Sequence, residues 1–429
     1  MTDALIVRRE QLLGVGAPLF YEEPIHIVRG EGVFLYDAAG RRYVDMYNNV
    51  PCVGHAHPHV VAAMQAQAAT LNVHSRYLHE GVLDYAERLI AKHADGLETA
   101  VFTCTGTEAN EVAIAMARRA TGARGLVCSD RAYHGNSAEV SKLTHHGALP
   151  PDANPEIRSI PFPETYRPIE EGLDEESLCQ RYLAELDAAI DALAETPSGF
   201  AGMLVCPILA NEGLPNVPVG FMRRAAERVR ERGGLFIVDE VQAGFCRTGS
   251  FWGYEHVDCR PDIVSMGKPM GNGLPLAGVV ASRDLVDTFR KRTRYFNTFA
   301  SSPLQAAAGS AVLDVIESEG LEDHVADVGA YLRRELARRC EGEQRLAEVR
   351  GHGLFIGIEC VEDPDSREPC RELAVSCVNQ LKDRGFLTSN AGAHGSVIKL
   401  RPPLVFPRDQ ADAFLDAFDD VIDSIKARG

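Results

Sequence analysis

Short, unbroken apolar runs recur through the middle of the chain. Ala100–Thr103, Leu126–Ser129, Met203–Pro207, Leu235–Asp239, Ile263–Met266 and Leu276–Ala281 show no polar alternation. A strand with that pattern has both faces covered, so each run predicts a buried strand. Helical periodicity lies between the runs. Glu108–Thr121 sets Val112, Ala113, Met116, Ala117 and Ala120 on one face. Phe221–Arg232 is amphipathic and meets a helix stop at Gly233–Gly234. Strands alternating with helices predict a mostly parallel sheet with helices on both faces.

The ends follow another rhythm. Ile25–Val28, Val33–Tyr36 and Tyr43–Asp45, with a turn at Ala38–Gly40, predict a small antiparallel meander. Beyond about Pro303, helical patterns at Gln305–Ser318, His324–Arg339, Ala374–Arg384 and Asp409–Lys426 enclose strands at Leu354–Cys360 and Ser396–Leu400. We expect a large α/β domain over 60–303, and a smaller α+β domain formed by both chain ends, 1–59 and 304–429.

Charge and cysteine usage narrow the classes. A formal net charge of −17 argues against nucleic acid and anionic membranes as partners. No apolar run approaches a membrane span. The first residues lack a basic start followed by an apolar block, so no secretory signal is expected. The 11 cysteines are scattered and form no C-x-x-C pair, which points to a reducing, cytoplasmic setting. His55, His57 and His59 in HAHPH read either as a turn with surface histidines or as metal ligands. No Cys or carboxylate cluster joins them in sequence, so no metal is expected. Gly351–Gly357 (GHGLFIG) has the wrong spacing for a dinucleotide fingerprint and precedes a strand; we read it as a turn into that strand.

Chemistry gathers where strands end. Asp239 closes an apolar strand at the carboxyl edge, where open α/β sheets bind ligands; it is either a helix cap or a functional group. Lys268 follows the next strand in a stretch of glycine, proline and apolar residues. Burial disfavours the charged form of lysine, and a neutral amine can form a Schiff base. A lysine with a strand-end acid fits pyridoxal phosphate, whose ring nitrogen needs a carboxylate partner. In Thr103–Arg119 a strand ends, Gly106 and Thr107 turn, and a helix starts. That is a phosphate cradle or simply a capped helix. Tyr133, in RAYHG, either stacks on a ring or packs.

Taken in order, VDMYNNVPCVGHAHP, TGTEAN, YHGN, VDEVQAGFCRTG, PDIVSMGKPMGNGLP and LRPPL resemble the class III pyridoxal-phosphate aminotransferases, of fold type I. HSRYLH, KPMGNG, YFNTF and RGHGLFIGIE resemble more closely the subgroup of alanine–glyoxylate aminotransferase 2 and the ethanolamine-phosphate phospho-lyases. The resemblance spans essentially the whole chain. It implies a large domain with a mostly parallel seven-stranded sheet, a smaller α+β domain, and a homodimer with shared active sites. By position it implies that Lys268 carries the cofactor as a Schiff base and shuttles a proton, and that Asp239 pairs with the ring nitrogen. Val241 and Tyr133 would flank the ring and Gln242 would bond its phenolic oxygen. Gly106 and Thr107 would bind the phosphate, and Thr298 would reach the phosphate of the neighbouring subunit. Arg401 would take a substrate carboxylate bidentately, with Arg76 as a second cation for substrate.

Two stretches depart from the family pattern. Where EPxQGExG is usual, this chain has CPILANEGLP, so Cys206 and Asn211 fall at the two Glu positions. Glu212, one residue on, is expected to point elsewhere. ASSP (Ala300–Pro303) stands where GGNP is usual, a small-for-small exchange. The resemblance implies a transaminase moving an amino group from an amine or amino acid to a keto acid such as pyruvate. The alternative is a phospho-lyase acting on a phosphorylated amino alcohol.

Overall fold

The computed structural model describes residues 2–144 and 154–427. A seven-stranded sheet organises its centre, in the order Thr99–Thr103, Ala277–Ala281, Ile263–Met266, Leu235–Asp239, Phe200–Val205, Gly125–Ser129, Ile157–Ile160. All neighbours pair in parallel except Ala277–Ala281, which runs antiparallel to both of its partners. The runs Gly125–Ser129, Phe200–Val205, Ile263–Met266 and Ala277–Ala281 are buried at every residue. That explains the missing alternation, because helices cover both faces. The helix Gly106–Thr121 buries Val112, Ala113, Met116 and Ala117 against the sheet and stops at Gly122, whose φ of 74° is the left-handed cap glycine favours.

The sequence reading placed these elements to within a few residues and missed others. Pro207 lies beyond the strand that ends at Val205. Ile157–Ile160 was not foreseen: Arg158 and Ser159 interrupt its apolar pattern on a strand at the sheet edge. Leu346–His352 was also missed; it forms a hairpin with Phe355–Cys360 across Gly353, so the GHGLFIG stretch is the turn between two strands.

The chain ends meet. Ile27–Glu31, Phe34–Asp37 and Arg42–Asp45 form an antiparallel meander, and Phe386–Leu387 adds to its Arg42–Asp45 edge in parallel. Leu346–His352, Phe355–Cys360, Val397–Leu400 and Ser389–Ala391 form a third sheet. The helix Pro58–Thr70, started by Pro58, packs on the helix Pro303–Ser318. A division between 59 and 60 would therefore cut a helix.

Candidate active site

Five segments reach one crevice at the carboxyl edge of the central sheet: the first turn of the helix at Gly106, the loop after Ser129, the loop after Val205, the turn after Asp239, and Lys268. Asp239 is buried and receives three donors. Its Oδ2 accepts from Asn110 Nδ2 at 2.9 Å and His134 Nδ1 at 2.8 Å, and its Oδ1 accepts from the Val241 N–H at 3.0 Å. Burial pushes this carboxyl up, but the His134 bond and charge, with the Val241 and Asn110 donors, outweigh it and hold Asp239 below its usual value. An ionised acid is thus fixed at the strand end. An ionised Asp239 only accepts, so the His134 proton sits on Nδ1. The His134 Nε2 is buried with no partner.

Lys268 is half-buried. Burial lowers its pKa, the Arg401 charge lowers it further, and Asp239 opposes the shift. Lys268 and Asp239 line a cavity of about 120 Å³ together with Gly106, Thr107, Tyr133, Val241 and Gln242. The cradle at Gly106 is shaped for a ligand. Thr105 and Glu108 cap each other's N–H groups, at 3.2 and 3.1 Å, and so occupy the side chains around the helix start. The N–H groups of the first helical turn have no intrahelical acceptor and, with the helix dipole, favour a phosphate. A Cβ at Gly106 would meet both Val241 methyl carbons at 2.9 Å, and one at Gly135 would meet Thr107 Oγ1 at 2.5 Å. Those glycines keep open the space that side chains would fill. An ionised acid for a ring nitrogen, a lysine that gives up its proton readily and a dianion cradle together fit pyridoxal phosphate.

A second cavity of about 460 Å³ shares Tyr133, Asn211, Gln242 and Lys268 with the first and adds Arg131, Lys399 and Arg401. Among the described residues, no Asp or Glu lines it. Arg401 is buried. Its Nε donates to the Tyr47 carbonyl at 2.6 Å, its Nη1 donates to Gln242 Oε1, and its guanidinium lies 4.2 Å over the Tyr47 ring. Gln242 Nε2 donates in turn to Asn211 Oδ1 at 3.1 Å. The Gln242 amide expected at the ring oxygen is therefore engaged by Arg401 and Asn211. Glu212 does point elsewhere: it accepts from Ser129 Oγ at 2.6 Å and from the Asn211 N–H at 3.1 Å. Among the described residues, no carboxylate lies at ion-pair distance from Arg401. Lys399, also buried, donates to the Ala210 carbonyl at 2.6 Å. Burial and then the Arg401 charge hold it well below the usual lysine value.

Arg76 and Thr298 line neither cavity. Both are exposed, and the Arg76 guanidinium lies 4.0 Å over the Phe296 ring, two residues from Thr298. His55, His57 and His59 each face a different carboxylate, Asp45, Glu319 and Asp314. HAHPH runs from a bridge at His55 through a turn at Ala56 into the helix Pro58–Thr70, and His55 is held by a buried acid and is not a plain surface residue. The sequence reading missed His134, Asn110, Arg131 and Lys399. His134 and Asn110 stand inside the quoted YHGN and TGTEAN stretches, but no spacing signals that they converge on Asp239. Lys399, two residues before Arg401 at a strand end, shares its face by the period of two, and that signal was available.

The fold and this site define a pyridoxal-phosphate-dependent enzyme of the aminotransferase type. The profile of the family Aminotransferase class-III matches residues 20–422, and the chain belongs to that family. It is 35% identical to the alanine–glyoxylate aminotransferase 2-like protein of Drosophila melanogaster, over 97% of this chain and 86% of that one. It is 30% identical to the ethanolamine-phosphate phospho-lyase homolog 1 of Caenorhabditis elegans, over 98% and 93%. Among solved structures, a phospholyase from Arthrobacter in complex with phosphoethanolamine superposes with a TM-score of 0.94 at 40% identity, covering 98% of this chain and 99% of that one.

Proposed function

We propose that this enzyme acts on a small amine that carries its own anion, and that its reaction is elimination of phosphate from a phosphorylated amino alcohol. One observation carries the reading: the wall beyond Lys268 presents the buried side chains of Lys399 and Arg401, and no Asp or Glu among the described residues lines it. Lys399 and Arg401, buried and bonded among the described residues only to neutral acceptors, are costly as cations unless a ligand supplies the counter-charge. A phosphate dianion matches that wall better than a single carboxylate. The likeness to a phospholyase bound to phosphoethanolamine supports the same class.

In this reading Arg401 and Lys399 hold the phosphate, and Lys268 Nζ takes a proton from the carbon bearing the nitrogen. The C–O bond to phosphate then breaks and its electron pair leaves with the phosphate. The cofactor, when bound, supplies the electron sink for the carbanion. Asp239, kept ionised by His134 and Asn110, holds the ring-nitrogen proton that such a sink needs. Water then releases ammonia and an aldehyde, so one amine phosphate and one water give one phosphate, one ammonia and one aldehyde. A second reading is amino transfer from an amine or amino acid to a keto acid such as pyruvate. The fork of Arg401, fixed by Tyr47 and Gln242, favours it as a carboxylate clamp.

The two readings separate in one assay of the holoenzyme with 2-aminoethyl phosphate. Elimination releases phosphate, ammonia and aldehyde in equal amounts with no keto acid present. Release of no phosphate, with amine consumed only when pyruvate is added, would overturn the first reading.

We also propose a homodimer in which Thr298 and Arg76 serve the neighbouring site. Tyr77, Leu78 and Phe299, at 65%, 98% and 77% exposure, stand beside these two residues and form an apolar surface of the kind that marks an interface. Light scattering should give twice the chain mass; a monomer with full activity would refute it. We propose a cytosolic location, since all 11 cysteines are free.

A further inference from the structure

Behind Arg401 lies a second buried guanidinium. Arg247 is fully buried in the turn that follows Asp239. Its Nε donates to Asn49 Oδ1 at 2.9 Å, and Asn49 Nδ2 donates to the Gln242 carbonyl at 2.9 Å. Its Nη1 donates to the carbonyl of Pro402, next to Arg401, and to that of Leu354 at 3.2 Å. One side chain thus ties the backbones of Gln242 and of the residue beside Arg401, the two partners whose side chains meet in the substrate wall.

The local chain is shaped to bring this about. Phe245 and Cys246, just before Arg247, have φ of 59° and 63°, a left-handed conformation that side chains with a Cβ disfavour. Two such residues in succession persist only where the surroundings over-determine them. Among the described residues, Arg247 has no carboxylate at ion-pair distance, and its Nη2 is buried with no partner. The acid felt by both arginines is Asp45, and its oxygens are held by His55 at 2.7 Å and by the N–H groups of Tyr47 and Asn48 at 3.0 and 2.9 Å. Burial, with the Arg401 charge, pulls Arg247 down to about 9, and a guanidinium keeps its proton in a protein.

We propose that Arg247 is a positioning residue for the substrate anion: it sets the Gln242–Arg401 pair and adds a buried positive charge behind it. The proposal rests on the anion-binding reading of this wall. It is independent of whether that anion is phosphate or carboxylate.

The test uses the holoenzyme with Arg247→Gln, Arg247→Lys and Asn49→Ala, and inorganic phosphate as the probe. Arg247→Gln should weaken phosphate inhibition and raise KM for 2-aminoethyl phosphate by about tenfold, more than it lowers kcat. Arg247→Lys, which restores charge but not the fork, should recover part of that loss. Asn49→Ala, which cuts only the Gln242 branch, should show a smaller loss. A merely structural role would lower kcat, cofactor absorbance and Tm together and leave the inhibition constant alone; that outcome overturns the proposal. If Arg247→Gln does not fold, an unchanged inhibition constant in Asn49→Ala overturns it. If the wild type neither releases nor binds phosphate, the phosphate reading fails. The same ratios, read with pyruvate as the ligand of Arg401, then decide the role of Arg247.

Discussion

The two sides of the crevice treat buried charge in opposite ways. On the cofactor side the charge is negative, and the protein itself supplies its partners: Asp239 takes donors from Asn110, His134 and Val241. On the substrate side the charge is positive, and the described residues offer only neutral acceptors: the Tyr47 carbonyl and Gln242 amide for Arg401, and the Ala210 carbonyl for Lys399. A charge surrounded by its own partners keeps one state throughout a reaction cycle. A charge given only neutral partners waits for a ligand to complete it. The first arrangement holds a cofactor and the second selects a substrate.

The cofactor side should break most completely. Lys268→Ala removes the amine that attaches the cofactor and moves the proton. Turnover should fall by at least about a thousandfold, with loss of the borohydride-fixed adduct and an unchanged far-ultraviolet circular dichroism spectrum. Asp239→Asn should follow. It removes the charge that His134 and Asn110 sustain, and on the order of a hundredfold in kcat should be lost while the protein remains folded. Near wild-type kcat in that variant would show that the buried acid does not serve the ring.

The substrate side should break in affinity. Lys399→Met should raise KM for an anionic amine by roughly 10- to 100-fold, with a smaller change in kcat. An unchanged KM would place the anion elsewhere in the cavity. Asn211→Glu should sharpen the contrast: a carboxylate beside Gln242 would give Arg401 an internal partner. Phosphorylated amines should then bind on the order of tenfold more weakly, and uncharged amines should gain. No movement in either direction would show that residue 211 does not govern the charge of Arg401.

These two sides were not equally legible in the sequence. The central strands were readable because parallel strands buried on both faces leave unbroken apolar runs. Asp239, Lys268 and Gly106 were readable because each sits at the end of such a run. The substrate wall was harder. Arg401 came only with the family resemblance, and Lys399 lies in a strand where a buried lysine looks like ordinary alternation. Arg131 carries no pattern, and Gln242's turn toward Arg401 and Asn211 depends on three segments far apart in the chain. His134 likewise becomes meaningful only when the loop after Ser129 folds back over Asp239.

A smaller effect comes from Glu240, next to Asp239 but turned away from the crevice. It accepts the N–H groups of Gly253 and Tyr254 at 3.0 and 2.8 Å, yet burial pushes it up to about 8. A carboxyl raised on folding stabilises the fold fully below its unfolded value, and that stability is lost as pH rises through the folded one. Tm should therefore fall by roughly 2 °C or more between about pH 5 and 8, and Glu240→Gln should flatten that slope. An identical slope in the variant would mean that another group titrates.

The contrast between the two sides is tested most directly by the affinity of the holoenzyme for two amines, 2-aminoethyl phosphate and 2-aminoethanol, the second lacking the anion. We predict that the competitive inhibition constant of the alcohol exceeds KM for the phosphorylated amine by about a hundredfold or more in the wild type. Equal values, or a preference for the uncharged alcohol, would contradict the claim that the cationic wall selects the substrate.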